Sequence, residues 1–151
     1  MSRETQTGGT EGGCLCGAVR FSLVTAPTEY GACHCGMCRK FSGGIELGVH
    51  VPDGGISWIA DAALQTYASS EWAERGFCKT CGSSLFWRLT AEGPMQGMLS
   101  LSAGALDTLD GMVFATEVYV DQKPASHAFA GERTRMTETE VLASVGITPD
   151  E

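Results

Sequence analysis

The sequence predicts a mainly β (α+β) protein, with short strands gathered around thiol clusters and one short C-terminal helix. Three observations carry that prediction. Apolar residues alternate at period two in run after run. Twenty glycines, many of them between those runs, supply turns. All seven cysteines fall into three clusters: Cys14-Leu-Cys16, Cys33-His-Cys35-Gly-Met-Cys38 and Cys78-Lys-Thr-Cys81. With 43% hydrophobic residues in a chain of 151, there is enough apolar side chain for a core, so metal supplements that core and need not replace it.

Taken in chain order, residues 1–11 are polar and read as a loose tail, and residues 12–147 as a single zinc-binding domain. Gly17 to Val24 alternates, with Val19, Phe21 and Leu23 on one face. Ile45 to Val51 repeats the pattern through Ile45, Leu47, Val49 and Val51. Short strands follow at Ser57 to Ile59, Leu64 to Tyr67, Ser84 to Trp87 and Met98 to Leu101. Met112 to Val120 is the longest β-rich run, long enough to bend or to change sheets. A short helical turn is expected after Cys38. Thr137-Glu-Thr-Glu140 is a capping box, and Val141, Leu142 and Val145 follow at helical spacing before Gly146, so a helix is expected there. Thr148 to Glu151 read as a second tail.

Thiols two or three residues apart are what a soft metal ion needs, because both sulfurs can reach one centre and a distant pair completes a tetrahedron. Seven divides as four plus three. Four thiolates close a structural zinc site, whereas three leave a coordination position open for chemistry. Disulfides fit poorly, since the count is odd and bridges within C-x-C or C-x-x-C close small, strained rings. In an extended C-x-C both cysteines share a face, so Leu15 and His34 point away from their neighbours' sulfurs. Gly17 and Gly82, each directly after a cysteine, suit knuckles that aim backbone N–H groups at thiolates.

Charge and composition narrow the function. A formal net charge of −8 repels phosphate, so neither nucleic acid nor an anionic membrane is expected as partner. No run approaches the ~18 apolar residues of a membrane span, and Met1 to Thr10 has no apolar segment of the signal-peptide kind. A cytoplasmic location, where thiols stay reduced, is the expectation. H-E-x-x-H is absent, and so is the H-x-E with P-C-x-x-C of zinc deaminases.

Gly13-Cys-Leu-Cys-Gly-Ala-Val-Arg-Phe21, Cys33-His-Cys-Gly-Met-Cys-Arg-Lys40 and Phe77-Cys-Lys-Thr-Cys-Gly-Ser-Ser-Leu-Phe86 together resemble the glutathione-dependent formaldehyde-activating enzyme family, which also contains centromere-associated relatives. The three motifs match in order, spacing and flanking residues and cover most of Gly12 to Trp87. The resemblance implies a fold of several coiled antiparallel β-sheets, like that of a small Rab-associated zinc protein. It assigns Cys14, Cys16, Cys78 and Cys81 to a structural zinc. Cys33, Cys35 and Cys38 go to a second, catalytic zinc; lacking a fourth protein ligand, that ion is expected to be the more exchangeable of the two, so its site can be partly occupied. It implies a carbon–sulfur lyase of the S-(hydroxymethyl)glutathione synthase type, with glutathione or a similar thiol and an aldehyde such as formaldehyde as partners. Homo-oligomerisation stays open. Val118-Tyr-Val-Asp121 with Lys123-Pro124 also resembles the family. Ala125-Ser-His127-Ala-Phe129 departs from the aromatic pair that members often carry there, and this bears on substrate choice. The loops after Val120 are expected to close over the ligand.

The chemistry of such a site follows from its charge. Three thiolates on one divalent ion leave a net charge of about −1, a poor activator of water that still accepts a soft fourth ligand such as a thiolate. The nucleophile that adds to an aldehyde carbon is a thiolate. His34 reads as hydrogen-bonded behind the cysteines, and His50 as a surface strand residue. Arg39 and Lys40 read either as a solvated basic pair or as attractors of glutathione carboxylates. Trp58, Trp72 and Trp87 read as core anchors. Ser83 and Ser84 have no basic partner and take no nucleophilic role. Three classes remain: an enzyme joining a thiol to an aldehyde, a thiol-binding carrier, and a structural zinc protein whose second ion is closed by His34 or His50.

Overall fold

The computed structural model describes residues 9–146. A three-stranded sheet combines β1 (Glu11–Gly13), β2 (Arg20–Leu23) and β5 (Ile56–Ala60) in the order β1-β2-β5. The remaining strands are β3 (Glu29–Cys33), β4 (Glu46–Val51), β6 (Leu64–Ala68), β7 (Ala73–Cys78), β8 (Ser84–Leu89), β9 (Leu99–Ser102), β10 (Val113–Val118) and β11 (Thr134–Met136). They form an eight-stranded sheet in the order β11-β10-β3-β4-β9-β8-β7-β6. Two short α-helices, α1 (Gly36–Ser42) and α2 (Glu138–Ser144), and two 3-10 turns, Ala103–Ala105 and Val120–Gln122, complete the described residues. The mainly β class with a C-terminal helix is as expected.

Alternation explains the core. Val19, Phe21 and Leu23 are buried, as are Val49 and Val51 of β4 and Leu99 and Leu101 of β9. Trp58 of β5 meets its sheet neighbour Phe21 of β2 edge-on at 5.8 Å and joins the small sheet to the large one through Phe86 of β8 at 5.7 Å. In α2 the Thr137 side chain accepts from the Glu140 N–H, and Glu140 returns a bond to the Thr137 N–H, so the capping box forms as the sequence indicates.

Several boundaries differ from expectation, each for a local reason. Residues 1–8 and 147–151, and with them most of the two expected tails, lie outside the described residues. The N-terminal tail ends earlier than residue 11, because Glu11 pairs with Ser22 and the Leu23 N–H donates to Thr10. The strand expected from Gly17 starts only at Arg20, since the preceding residues form a thiol loop. The Met112 run stays within one sheet. It is bulged between Phe114 and Thr116 and ends at Val118, because Tyr119 turns into the left-handed region (φ 59°). Pairing is not wholly antiparallel, as β10 runs parallel to both β3 and β11. Two further interior strands escape period-two reading. β3 contains glycine and alanine in place of large apolar residues, and β7 buries Arg75.

Candidate metal centres

The first cluster forms where the two sheets meet. Cys14 and Cys16 occupy the loop between β1 and β2, Cys78 ends β7, and Cys81 lies in the turn before β8. Their four sulfurs all lie within 4.8 Å of one another. Cys14 and Cys16 sulfurs are 3.6 Å apart, and those of Cys16 and Cys78 are 3.9 Å apart. Four sulfurs at ~2.3 Å from one tetrahedral ion sit about 3.8 Å from each other, so these residues fit zinc without rearrangement. The two glycines expected at knuckles hold positive φ, Gly17 at 85° and Gly82 at 82°. Their N–H groups donate to the Cys14 and Cys78 carbonyls, closing the two turns. The Val19 N–H donates to Cys14 Sγ at 3.2 Å and the Cys81 N–H to Cys78 Sγ at 3.5 Å. Ser83 lies 3.2 Å from Cys81 Sγ, and this contact, aided by backbone N–H donors, holds the Cys81 thiol down to about 5. Ser83 thus serves the thiols, and its hydroxyl also accepts from the Leu15 N–H.

The second cluster sits at the end of β3. Cys33 is its last residue, Cys35 caps α1, and Cys38 is buried on the first turn of that helix. The Cys38 N–H donates to Cys35 Sγ at 3.3 Å. These three sulfurs also lie within 4.8 Å of one another, and no histidine or carboxylate joins them among the described residues. Crowding sets their charge in the absence of metal. Cys35 is held well below the ordinary thiol range by the Cys33 and Cys38 thiols. Cys33 is pushed up by the same contacts. Cys38 is pulled down by Cys33 but driven up by Cys35 and by burial, to about 11. No two of the seven cysteines are joined as a disulfide. The donor set of three thiols fits a soft divalent ion with a position to spare.

His34 does not complete this set. As the alternation required, its ring faces the other way, where Nε2 lies 2.8 Å from Glu117 Oε1. Glu117 is 2% exposed, and its other oxygen accepts from Arg133 at 2.6 Å and Arg135 at 3.1 Å. Burial pushes the Glu117 carboxyl up, but His34, Arg133 and Arg135 together hold it below its ordinary value. His127 and Phe129 pack on the same ring of His34, at 6.3 and 6.1 Å. The loop after Val120 therefore covers the back of the cysteine strand, and it does not line the space in front of the thiols, contrary to expectation.

That space is a cavity of about 430 Å³ bordered by Cys33, Cys35 and Cys38. Here the structure adds residues that sequence patterns did not single out. Arg75 is buried, with both terminal nitrogens 3.7 Å from Cys38 Sγ and its guanidinium 5.4 Å above the Phe41 ring. Glu46, the cross-strand neighbour of Cys33, accepts from Ser102 at 2.9 Å, and burial raises its carboxyl. Tyr119 borders the cavity in its left-handed conformation, and desolvation followed by the nearby thiols pushes its phenol up to about 12. Trp58 is the core anchor expected, but Trp72 and Trp87 are cavity walls. His50, on an exposed strand position, borders the same space, while Arg39 and Lys40 are exposed and lie outside the lining. Of Arg75, Glu46 and Tyr119, Tyr119 alone stands in a stretch whose motif pointed toward the site.

The chain is similar in sequence and fold to known proteins. An uncharacterized lyase of Schizosaccharomyces pombe is 29% identical over 136 residues, spanning 89% of this chain and 96% of that protein. A putative glutathione-dependent formaldehyde-activating enzyme of Halomonas elongata is 33% identical over 84 residues, covering 50% of this chain and 54% of its own length. A third relative, from Sordaria macrospora and of the same description, is 33% identical over 85 residues and is spanned over 35% of its length. A crystal structure of a Rhodobacter sphaeroides protein superposes with a TM-score of 0.53 at 19% identity, covering 70% of this chain and 99% of that one, which shows a shared fold. The profile described as glutathione-dependent formaldehyde-activating enzyme matches residues 9–122. This chain belongs to the glutathione-dependent formaldehyde-activating enzyme family.

Proposed function

We propose that this protein is a zinc-dependent carbon–sulfur lyase that makes and breaks the bond between the sulfur of glutathione, or a similar thiol, and the carbon of an aldehyde such as formaldehyde. The observation that carries this reading is a contrast between the clusters. Four thiols close on themselves between the sheets, whereas three thiols with no further protein donor among the described residues border a 430 Å³ cavity. The family membership and the word lyase in the name of the Schizosaccharomyces pombe relative support the same chemistry.

In this reading Cys14, Cys16, Cys78 and Cys81 hold a structural zinc, and Cys33, Cys35 and Cys38 hold the working one. The second zinc, when bound, supplies a soft acceptor that keeps an incoming thiol ionised at neutral pH. Arg75 offsets the negative charge of three thiolates through its two contacts with Cys38. Tyr119 borders the cavity with a phenol that is protonated at neutral pH, so in this reading it donates to the aldehyde oxygen. Glu117 fixes His34 behind the strand, which keeps the cysteine pair pointed at the cavity.

The test is the rate of formation and breakdown of S-(hydroxymethyl)glutathione with and without the zinc-loaded protein. Acceleration is expected, and its loss in Cys35→Ser with the four-thiol zinc retained. Rates equal to the uncatalysed ones would leave a carrier or a structural module in place of an enzyme.

A further inference from the structure

We infer that the cavity beside Cys33, Cys35 and Cys38 receives the hydrocarbon part of a larger, apolar aldehyde, so that the preferred adduct joins a thiol to such a chain and not to formaldehyde alone. The inference rests on the thiol–aldehyde reading and narrows its substrate class.

Size is the first argument. A hydroxymethyl group brings one carbon and one oxygen. It leaves most of a 430 Å³ chamber to water, and chambers of this size ordinarily enclose most of an organic ligand. The walls are the second. Aromatic and thioether side chains from several elements converge there, among them Met37, Phe41, Trp72, Phe86, Trp87 and Met98. Helix α2 adds Val141 and Leu142, and Val145 follows from its C-terminal cap. Met37, Trp72 and Val145 are 50%, 37% and 36% exposed although large and apolar, so apolar surface stays open to water along this lining. A bound hydrocarbon covers such surface at a gain.

Charge is the third argument. Glu29, Glu46 and Arg75 are the residues of fixed charge in the lining, two anions and one cation. Arg75 is already engaged with Cys38 and Phe41. The two carboxylates of glutathione find no free cation inside the chamber, so its peptide part stays toward solvent and the interior falls to hydrocarbon. The chemistry balances without any further reagent. The thiol gives up its proton, sulfur bonds to the aldehyde carbon, the C=O double bond becomes a single bond, and the oxygen takes one proton. Cleavage is the reverse.

Calorimetric titration of the zinc-loaded protein with S-methyl-, S-butyl- and S-hexylglutathione tests this. Affinity should rise about fourfold per methylene while the chain remains inside, at least tenfold from methyl to butyl. Trp72→Ala and Trp87→Ala should each flatten that rise, and near-ultraviolet circular dichroism would show that each variant is folded. Hexanol, which carries neither thiol nor peptide, should perturb tryptophan fluorescence at concentrations where methanol does not. Binding of glutathione with equal affinity for all three S-alkyl derivatives overturns the apolar chamber and leaves the thiol reading intact. A hexanol response without glutathione binding upholds the chamber and removes only the thiol. Absence of both responses overturns this inference.

Discussion

At the scale of single residues, Tyr119 has the least ordinary backbone at the three-thiol cavity. Among the described residues it is the one non-glycine with positive φ, a conformation that costs about 1–2 kcal/mol and persists where its surroundings enforce it. The twist ends β10 and leaves Tyr119 bordering the three-thiol cavity. Tyr119→Phe keeps the backbone and ring but removes the donor. It is expected to lower kcat by about a hundredfold with little change in melting temperature; an unchanged kcat would remove the phenol from the chemistry. The cysteines were legible in the sequence because metal spacing is local, and Gly17 and Gly82 followed from the same knuckle geometry. Arg75 and Glu46 were not, because their meaning depends on partners far along the chain: Cys38 is 37 residues from Arg75, and Ser102 is 56 from Glu46. Trp72 and Trp87 could not be told from core residues by type alone.

Elements depend on a buried ion network as well as on alternation. Glu117 of β10 takes hydrogen bonds from His34 after β3, from Arg133 before β11 and from Arg135 within it. Glu117→Gln leaves the two arginines without their shared anion and is expected to cost about 3 kcal/mol, read by denaturant titration. A loss under half of that would make the network dispensable. The pH dependence follows from the sign of the shift. Burial raises the carboxyl, but His34, Arg133 and Arg135 lower it further, so its folded value lies below the unfolded one. Its contribution is therefore complete above the unfolded value of about 4.3 and is lost as pH falls through the folded one. The parent should lose stability on acidification from about pH 5 downward more steeply than Glu117→Gln; parallel profiles would contradict the assignment. Strands β2, β4, β5, β6, β8 and β9 were legible because each carries its own alternating or β-branched and aromatic pattern. β3 and β7 were not, since their neighbours, and not their own side chains, hold them in the sheet. The parallel pairing of β10 is a property of the chain's crossings and leaves no mark on any one strand.

At the scale of the whole molecule, the proposed function divides stability from chemistry between the two thiol clusters. Cys16 and Cys78 stand 62 positions apart and join the small sheet to the large one, so an ion held there would contribute folding energy. Cys78→Ser should lower stability by several kcal/mol, and a melting temperature within a degree or two of the parent would refute the four-cysteine assignment. An ion on the three thiols, which have no fourth protein donor among the described residues, should leave first under mild chelation while far-ultraviolet circular dichroism persists; simultaneous loss of both ions with unfolding would contradict an open site. The position of residues 125–129 alters how their departure from the family pattern bears on function. His127 and Phe129 pack behind His34, whereas residues of α1, α2 and β8 line the cavity, so the proposed function looks to those walls for ligand preference. Whether the open cluster receives the sulfur of a thiol is read by calorimetric titration of zinc-loaded protein with glutathione. Saturable binding below millimolar ligand, abolished in Cys35→Ser, is the result predicted; no heat of binding at millimolar glutathione would contradict it.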